Sequence, residues 1–170
     1  MTLSRFLGLA ALSLLLVACQ DDDGFSDSPT SAASTANTPA ALQIYFDRFE
    51  LAAAERGLAI DVAGEGITAE FQDIPDDGVA GTCTYGSHTP GHIVIDQGFW
   101  LRANDAFREM IVFHELGHCV LFQGHREGTH PNGTCQSIMR SGLDGCIDNY
   151  RPATREFYLD ELFAAESDLR

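Results

Sequence analysis

The stretch from Ile111 to Phe122, IVFHELGHCVLF, decides the fold because it places a polar motif inside an apolar helix. Residues four apart share one face of a helix, so His114 and His118 can present both imidazoles to a single ion. Apolar residues flank the motif on both sides, which predicts that the helix is buried. We expect this helix to span residues 103 to 122, with Asn104 as its N-cap.

Glu115 follows His114 directly and is turned by about 100° from it on a helix. Its carboxylate can therefore lie beside the ion without binding it, and can accept a proton from a water molecule that the metal activates. The motif combines two metal ligands with a general base. It predicts a zinc-dependent endopeptidase that hydrolyses peptide bonds of extracytoplasmic proteins or peptides.

A catalytic zinc site needs a third protein ligand and one open position. His125 is the nearest candidate, because Gly124 can adopt a left-handed conformation that ends the helix and turns the chain back. His130, in a loop before a proline, is the alternative. Four further side chains rank below these two: Glu127, Asp144, His88 and His92.

The segment from His114 to His125, followed by Ser137-Ile138-Met139, resembles the metzincin clan of zinc peptidases, and within it the matrixin-like members. The resemblance implies Zn2+ as cofactor and a Met-turn that places Met139 beneath the metal. It also implies that an edge strand, here Thr82 to Tyr85, holds an extended substrate by backbone pairing. The chain departs from the clan pattern HExxHxxGxxH, because Leu121 stands at the glycine position and His125 lies one residue late.

Two alternatives remain open at the level of sequence. The first is a non-catalytic, zinc-binding surface lipoprotein, although a purely structural site has no use for Glu115. The second is a zincin whose third ligand is a downstream carboxylate, from Glu156, Asp160 or Glu161. The order of the motifs, with a Met-turn-like segment before these acids, fits the metzincin arrangement better.

The pattern of elements predicts an α+β fold, a small zincin-like domain. A helix over 42–56, a hairpin of strands 58–62 and 67–74, and further strands 82–85 and 92–95 are expected. Together they give a twisted, mostly antiparallel-edged sheet of about four strands packed on the HExxH helix. A C-terminal helix is expected to open at Pro152.

The N-terminus carries an export signal, since Arg5 precedes an apolar run from Phe6 to Val17. The run ends in Leu16-Val17-Ala18-Cys19, which resembles the lipobox of bacterial lipoproteins and implies acylation, including palmitate, of Cys19. Residues 1–18 are then a lipoprotein signal peptide, 19–40 an acylated cysteine with a disordered tether, and 41–170 the metallopeptidase domain. We expect the chain in the cell envelope, and Gln20 favours the outer membrane, on its periplasmic or surface side, over the inner membrane of a Gram-negative source.

The charge balance limits the partners, because 10 Lys and Arg stand against 25 Asp and Glu, a net charge of -15. Nucleic acids and anionic membrane surfaces attract basic patches, so neither is expected as a partner. We expect a monomer that meets protein or peptide substrates, and meets the membrane only through its lipid anchor.

Four cysteines remain after Cys19: Cys83, Cys119, Cys135 and Cys146. An oxidising compartment favours two disulfides among them, and three pairings are open. A bond between Cys135 and Cys146 would close a short loop and leave Cys83 with Cys119. A disulfide at Cys119 would brace the helix that carries His118.

Overall fold

The structure is a computed structural model that describes residues 38–76, 78–142 and 147–167. Several predicted features lie outside these ranges: the signal peptide, Cys19, nearly all of the tether, Asp144 and Cys146. The structure does not test the predictions made for them. The described elements are α1 (Ala40–Ala54), β1 (Thr68–Gln72), β2 (Gly81–Gly86), β3 (Thr89–Asp96), α2 (Gln97–Arg102), α3 (Asp105–Cys119), a short 3-10 turn (Ile147–Asn149) and α4 (Arg155–Ser167).

The described part of the chain is a small α+β domain with a three-stranded mixed sheet in the order β1-β3-β2. Strand β1 runs parallel to β3, with Phe71 opposite Ile95. Strand β2 runs antiparallel to β3, with Cys83 opposite Ile93. The α+β class is confirmed, whereas the sheet has three strands in the described residues and not about four.

The missing strand is the segment 58–62, which was expected to form a hairpin with β1. It is a connection that closes the end of α1: Leu58 N–H donates to Ala53 O (3.0 Å), and Val62 N–H donates to a Glu50 carboxylate oxygen (2.8 Å). Leu58 and Val62 are buried, which explains their alternating apolar pattern. Because α1 satisfies their backbone donors, β1 pairs with β3 instead.

Helix α3 lies at the centre of the domain, with α1 and α4 packed beside it. Phe49 of α1 packs edge to face on Phe113 of α3, with 5.2 Å between ring centroids, and also contacts Phe163 of α4 at 5.0 Å. The three rings are fully buried. A core of this kind stabilises the domain by removing apolar surface from water, and it holds α3 rigidly from one side.

The helix ends differ from the expectations by a few residues. Asn104 is the N-cap of α3, as predicted, and its side chain accepts from Phe107 N–H at 2.9 Å. Helix α2 was not predicted; Asp96 caps it by accepting from Phe99 N–H at 2.6 Å. Helix α4 begins at Arg155, and Pro152 lies in the turn before it. Among the described residues, no helix is both long and apolar enough to cross a membrane.

Candidate metal centre

Three histidine side chains converge at the C-terminal end of α3. The Nε2 atom of His118 lies 3.1 Å from Nε2 of His114 and 3.2 Å from Nε2 of His125. All three candidate ligand atoms lie within 4.8 Å of one another, so this group could hold a metal ion. His130, the alternative third ligand, lies elsewhere, with its ring 5.8 Å from that of Phe157.

Backbone carbonyls orient two of the imidazoles. The Nδ1 atom of His114 lies 2.7 Å from Ile138 O, and Nδ1 of His118 lies 2.6 Å from Gln123 O. A carbonyl oxygen can only accept, so Nδ1 of each ring is the donor. In the neutral rings, Nε2 therefore carries the lone pair, and these lone pairs point toward one another. The lone pairs repel one another, and a cation between them would remove this repulsion. The two carbonyls thus hold the rings in the orientation that a metal ion requires.

The charge states agree with a ligand role. Burial lowers the pKa of His114 to about 4, although its bond to Ile138 acts in the opposite direction. Burial also lowers the pKa of His118. Both rings are therefore neutral near pH 7, which is the form that binds metals.

The turn after α3 is formed by Phe122 and not, as predicted, by Gly124. Phe122 has a φ of 52°, whereas Gly124 has no positive φ. Gln123 N–H donates back to Gly117 O at 3.0 Å, which folds the chain over the end of the helix. This turn returns the imidazole of His125 to the other two.

Met139 is fully buried, and its sulfur lies against Gly117, the residue before His118. A Cβ atom on Gly117 would overlap the Met139 sulfur, so glycine at that position permits the approach. Met139 N–H donates to Ser137 Oγ at 2.9 Å, and Met139 O accepts from Arg126 N–H at 2.8 Å. The turn at 137–139 therefore holds both sides of the site. Its Met139 carbonyl binds Arg126, the residue after His125, and its Ile138 carbonyl binds His114.

Glu115 is buried beside the histidines, with 4% of its surface exposed. In the described part of the chain, its carboxylate has no hydrogen bond or ion pair. Burial raises the pKa of Glu115 to about 8. Strand β2 passes close by, because a Cβ atom on Gly81 would stand 2.8 Å from Glu115 Oε1.

A cavity of about 380 Å³ opens beside Glu115 and the three histidines. Its walls come from the start of β2, from α3, and from the segments on either side of the 3-10 turn. The lining is largely apolar and includes Met110, Ile111, Ile138, Ile147 and Tyr150.

Strand β2 and helix α3 run side by side and touch at regular intervals. Gly81 faces Glu115, Cys83 is bonded to Cys119, and Tyr85 packs against Phe122 with 5.3 Å between ring centroids. Glu115 and Cys119 are four residues apart on α3, a rise of about 6 Å that matches the rise of about 6.6 Å over two strand residues. Phe122 follows three residues later, in the turn after the helix.

The disulfide between Cys83 and Cys119 confirms one predicted pairing. It fixes the edge strand to the residue that follows His118. Cys135 is also disulfide-bonded, while its expected partner Cys146 lies outside the described residues.

The remaining candidate ligands are held elsewhere. Glu127 bonds Ser141, and His92 lies between Thr68 and Glu70. The acids of α4, proposed as alternative ligands, pair with arginines: Glu156 and Asp160 with Arg56, and Glu161 with Arg126. His88 is exposed in the turn between β2 and β3.

Sequence reasoning missed the neighbours that shape the site. The carbonyls of Ile138 and Gln123 carry no signal in the sequence, because any residue supplies a carbonyl. Gly81 could have been found, since a glycine in a predicted strand often marks a close approach of another group. The contact between Tyr85 and Phe122 depends on tertiary packing.

Comparison with known proteins gives no relative: no family model, no curated protein and no solved structure matches this chain.

Proposed function

We propose that this chain is a zinc-dependent endopeptidase in which His114, His118 and His125 hold the metal. Zinc binds imidazole at about 2.0–2.1 Å with tetrahedral angles, so its ligand atoms stand about 3.3 Å apart. The two Nε2 separations of 3.1 and 3.2 Å are close to this value. Three protein ligands leave one position of a tetrahedron open, as catalytic zinc sites require.

Zinc in this site would act as a Lewis acid on the scissile carbonyl and make a water molecule acidic near neutral pH. The single observation that carries the proposal is the unpaired, buried Glu115 next to His114. A zinc ion beside Glu115 would favour its ionised form, and a carboxylate without a structural partner is free to take a proton from the attacking water. Glu115 then passes this proton to the leaving nitrogen as the carbon–nitrogen bond breaks, which yields a carboxylate and an amine.

The cavity and the edge strand supply a place for a peptide. Strand β2 is an edge of the described sheet, and an extended chain can add to such an edge by backbone hydrogen bonds. The cavity beside Gly81 and Glu115 is largely apolar and has room for an apolar side chain next to the scissile bond.

The test compares zinc content and hydrolysis across four forms of the protein. The wild type should hold about one zinc and cleave members of a broad peptide library. Glu115→Gln should keep the zinc and lose hydrolysis by about 10²–10⁴-fold, since this is the contribution of a general base. His125→Ala should lose the zinc, and His130→Ala is its matched control and should keep it.

Three results would contradict the assignment. Equal turnover by the wild type and Glu115→Gln would remove Glu115 from the mechanism. Loss of zinc in His130→Ala but not in His125→Ala would change the third ligand. Binding of zinc without cleavage of any peptide would favour the non-catalytic zinc-binding lipoprotein.

We further propose, from the sequence alone, that the mature chain is lipid-anchored through Cys19 in the cell envelope. The observation behind this is the apolar run that ends at Cys19 and gives way to a polar tract. Cys19→Ser should move the domain out of the membrane fraction. If this variant stays in membranes as fully as the wild type, the anchor is refuted and the peptidase proposal is unaffected.

A further inference from the structure

Tyr85 and Phe122 form an exposed aromatic pair at the edge of the metal centre. Their ring centroids lie 5.3 Å apart in an edge-to-face arrangement. Tyr85 is 51% exposed and Phe122 is 66% exposed, so the contact buries little apolar surface and adds little to the core. Such a pair on the surface of the described domain calls for another explanation than folding stability.

The backbone is distorted at both residues. Phe122 has a φ of 52°, a conformation that glycine adopts freely and a bulky side chain adopts only under constraint. Tyr85 lies where the register between β2 and β3 is irregular, between Thr84 and Gly86. A bulge of this kind re-aims a side chain, and bulges are frequent next to active sites. The two rings that meet are therefore both carried by irregular backbone.

The position of the aromatic pair relates it to the site. Gly81 faces Glu115, and Cys83 is bonded to the residue after His118, so the reacting bond of a peptide on β2 would lie near 81–83. Tyr85 then lies about 7–13 Å further along the strand, at about 3.3 Å per residue. This distance corresponds to about two to four residues of an extended peptide. The cavity lies at the opposite end of β2.

We propose, on the basis of the peptidase function above, that the aromatic pair is a binding subsite for an apolar or aromatic side chain of the substrate. The peptide adds to β2 in antiparallel orientation, the commoner kind of pairing, so its N-terminal half lies toward Tyr85. The recognised side chain belongs to a residue about two to four positions before the scissile bond. It packs on the exposed faces of the two rings, which aromatic and aliphatic groups favour.

The experiment maps cleavage sites in a mixed peptide library by mass spectrometry, using the zinc-loaded mature protein. Phe122→Gly removes the ring and suits the left-handed backbone, and Tyr85→Ala removes the partner ring. Leu101→Ala, at an exposed apolar residue of α2, is the matched control. We expect the wild type to prefer apolar or aromatic residues at the proposed position, and both pair variants to lose about tenfold of this preference in kcat/KM. Leu101→Ala should keep it.

Unchanged preference in Phe122→Gly and Tyr85→Ala would overturn the proposal, and so would a loss confined to positions after the scissile bond. A second measurement distinguishes failure of the subsite proposal from failure of the proposed peptidase function. Fluorescence anisotropy of intact library peptides on the zinc-loaded Glu115→Gln protein reports binding without hydrolysis. Addition of Phe122→Gly on this background should weaken binding of the preferred peptides about tenfold. Equal binding, or no peptide binding at all, would overturn the subsite even if the wild type hydrolyses peptides.

Discussion

Helix α3 carries two buried glutamates in opposite surroundings. Glu109 and Glu115 are 5% and 4% exposed, yet only the first is paired. One Glu109 oxygen accepts from Tyr150 OH and from Arg155 Nε, both at 2.6 Å, and the other lies 3.5 Å from Arg48 Nη1. In the described part of the chain, Glu115 has no such partner and lines the cavity.

The difference shows that burial by itself does not mark a functional acid. The carboxylate of Glu109 joins α3 to α1 and α4, and its charge is compensated where it stands. Glu115 is desolvated without compensation inside the protein, a condition that destabilises the fold and that a bound cation would relieve. The first glutamate serves the architecture, and the second has the properties of a reacting group.

The largest expected effect is on the pH dependence of the metal-free protein. The folded-state pKa of Glu115 is raised from 4.5 to about 8, so the stability it contributes is present below pH 4.5 and is lost as the pH rises to about 8. The free energy of unfolding should fall by up to about 1.4 kcal/mol per pH unit, and by about 5 kcal/mol in all. Glu115→Gln should remove this fall.

Urea unfolding after chelation, at several pH values, measures the effect. The pKa of His114 is lowered from 6.5 to about 4, so its contribution rises with pH over that range and opposes the trend. The difference between the wild type and Glu115→Gln isolates the glutamate from the histidine. Parallel stability curves for the two proteins would mean that Glu115 does have a compensating partner, and would remove the contrast with Glu109.

Glu109→Gln should lower the free energy of unfolding by about 3 kcal/mol, because it leaves Arg155 and Arg48 without their buried counter-charge. The hydrolysis rate per folded molecule should stay unchanged, in contrast to Glu115→Gln. Glu156→Gln is the matched control, since Glu156 pairs with the same Arg155 at 2.8 Å but is exposed, and it should change stability by less than about 1 kcal/mol. If Glu109→Gln is as stable as the wild type, the ion pairs of Glu109 with Arg155 and Arg48 do not stabilise the fold.

The smallest effect concerns the packing of Met139 under the site. Gly117→Ala should cost about 1–2 kcal/mol of stability and weaken zinc binding, because the new methyl group displaces the Met139 side chain. Gly124→Ala should change neither, since a Cβ atom there meets nothing within 4 Å. Chemical unfolding and zinc titration of the two variants give the comparison. Similar behaviour of both would show that Met139 can move without consequence.

The sequence predicted the helices and the histidines well because both depend on local spacing. The apolar periodicity of α1 and α3 and the cap at Asn104 are confirmed. His125 was predicted as the nearest histidine after the helix, and the structure does bring it to the other two. Pairing of Cys83 with Cys119 was one of three open choices, and the structure selects it.

Other features depend on contacts far apart in the chain, and spacing could not predict them. Residues 58–62 alternate like a strand, but their donors are satisfied by α1. Helix α2 has only six residues, too few for a periodic pattern. A bulky residue such as Phe122 gives no warning of a left-handed conformation, so Gly124 was chosen for the turn. The motif marks Glu115, but nothing local shows that Glu109 is buried and paired, because its partners come from distant parts of the chain.

The matched steps of β2 and α3 have a consequence for recognising related chains. Side chains of a strand alternate between faces, so loss of one residue from β2 would turn Cys83 away from Cys119 and Tyr85 away from Phe122. A change of length in either element must therefore keep both contacts, Cys83 with Cys119 and Tyr85 with Phe122. A chain of the same design should therefore carry two coupled signatures: Gly-x-Cys-x-aromatic on an edge strand, and His-Glu-x-x-His-Cys-x-x-aromatic across the end of the neighbouring helix and the turn that follows it. This double spacing is longer and more selective than the five-residue zinc motif alone.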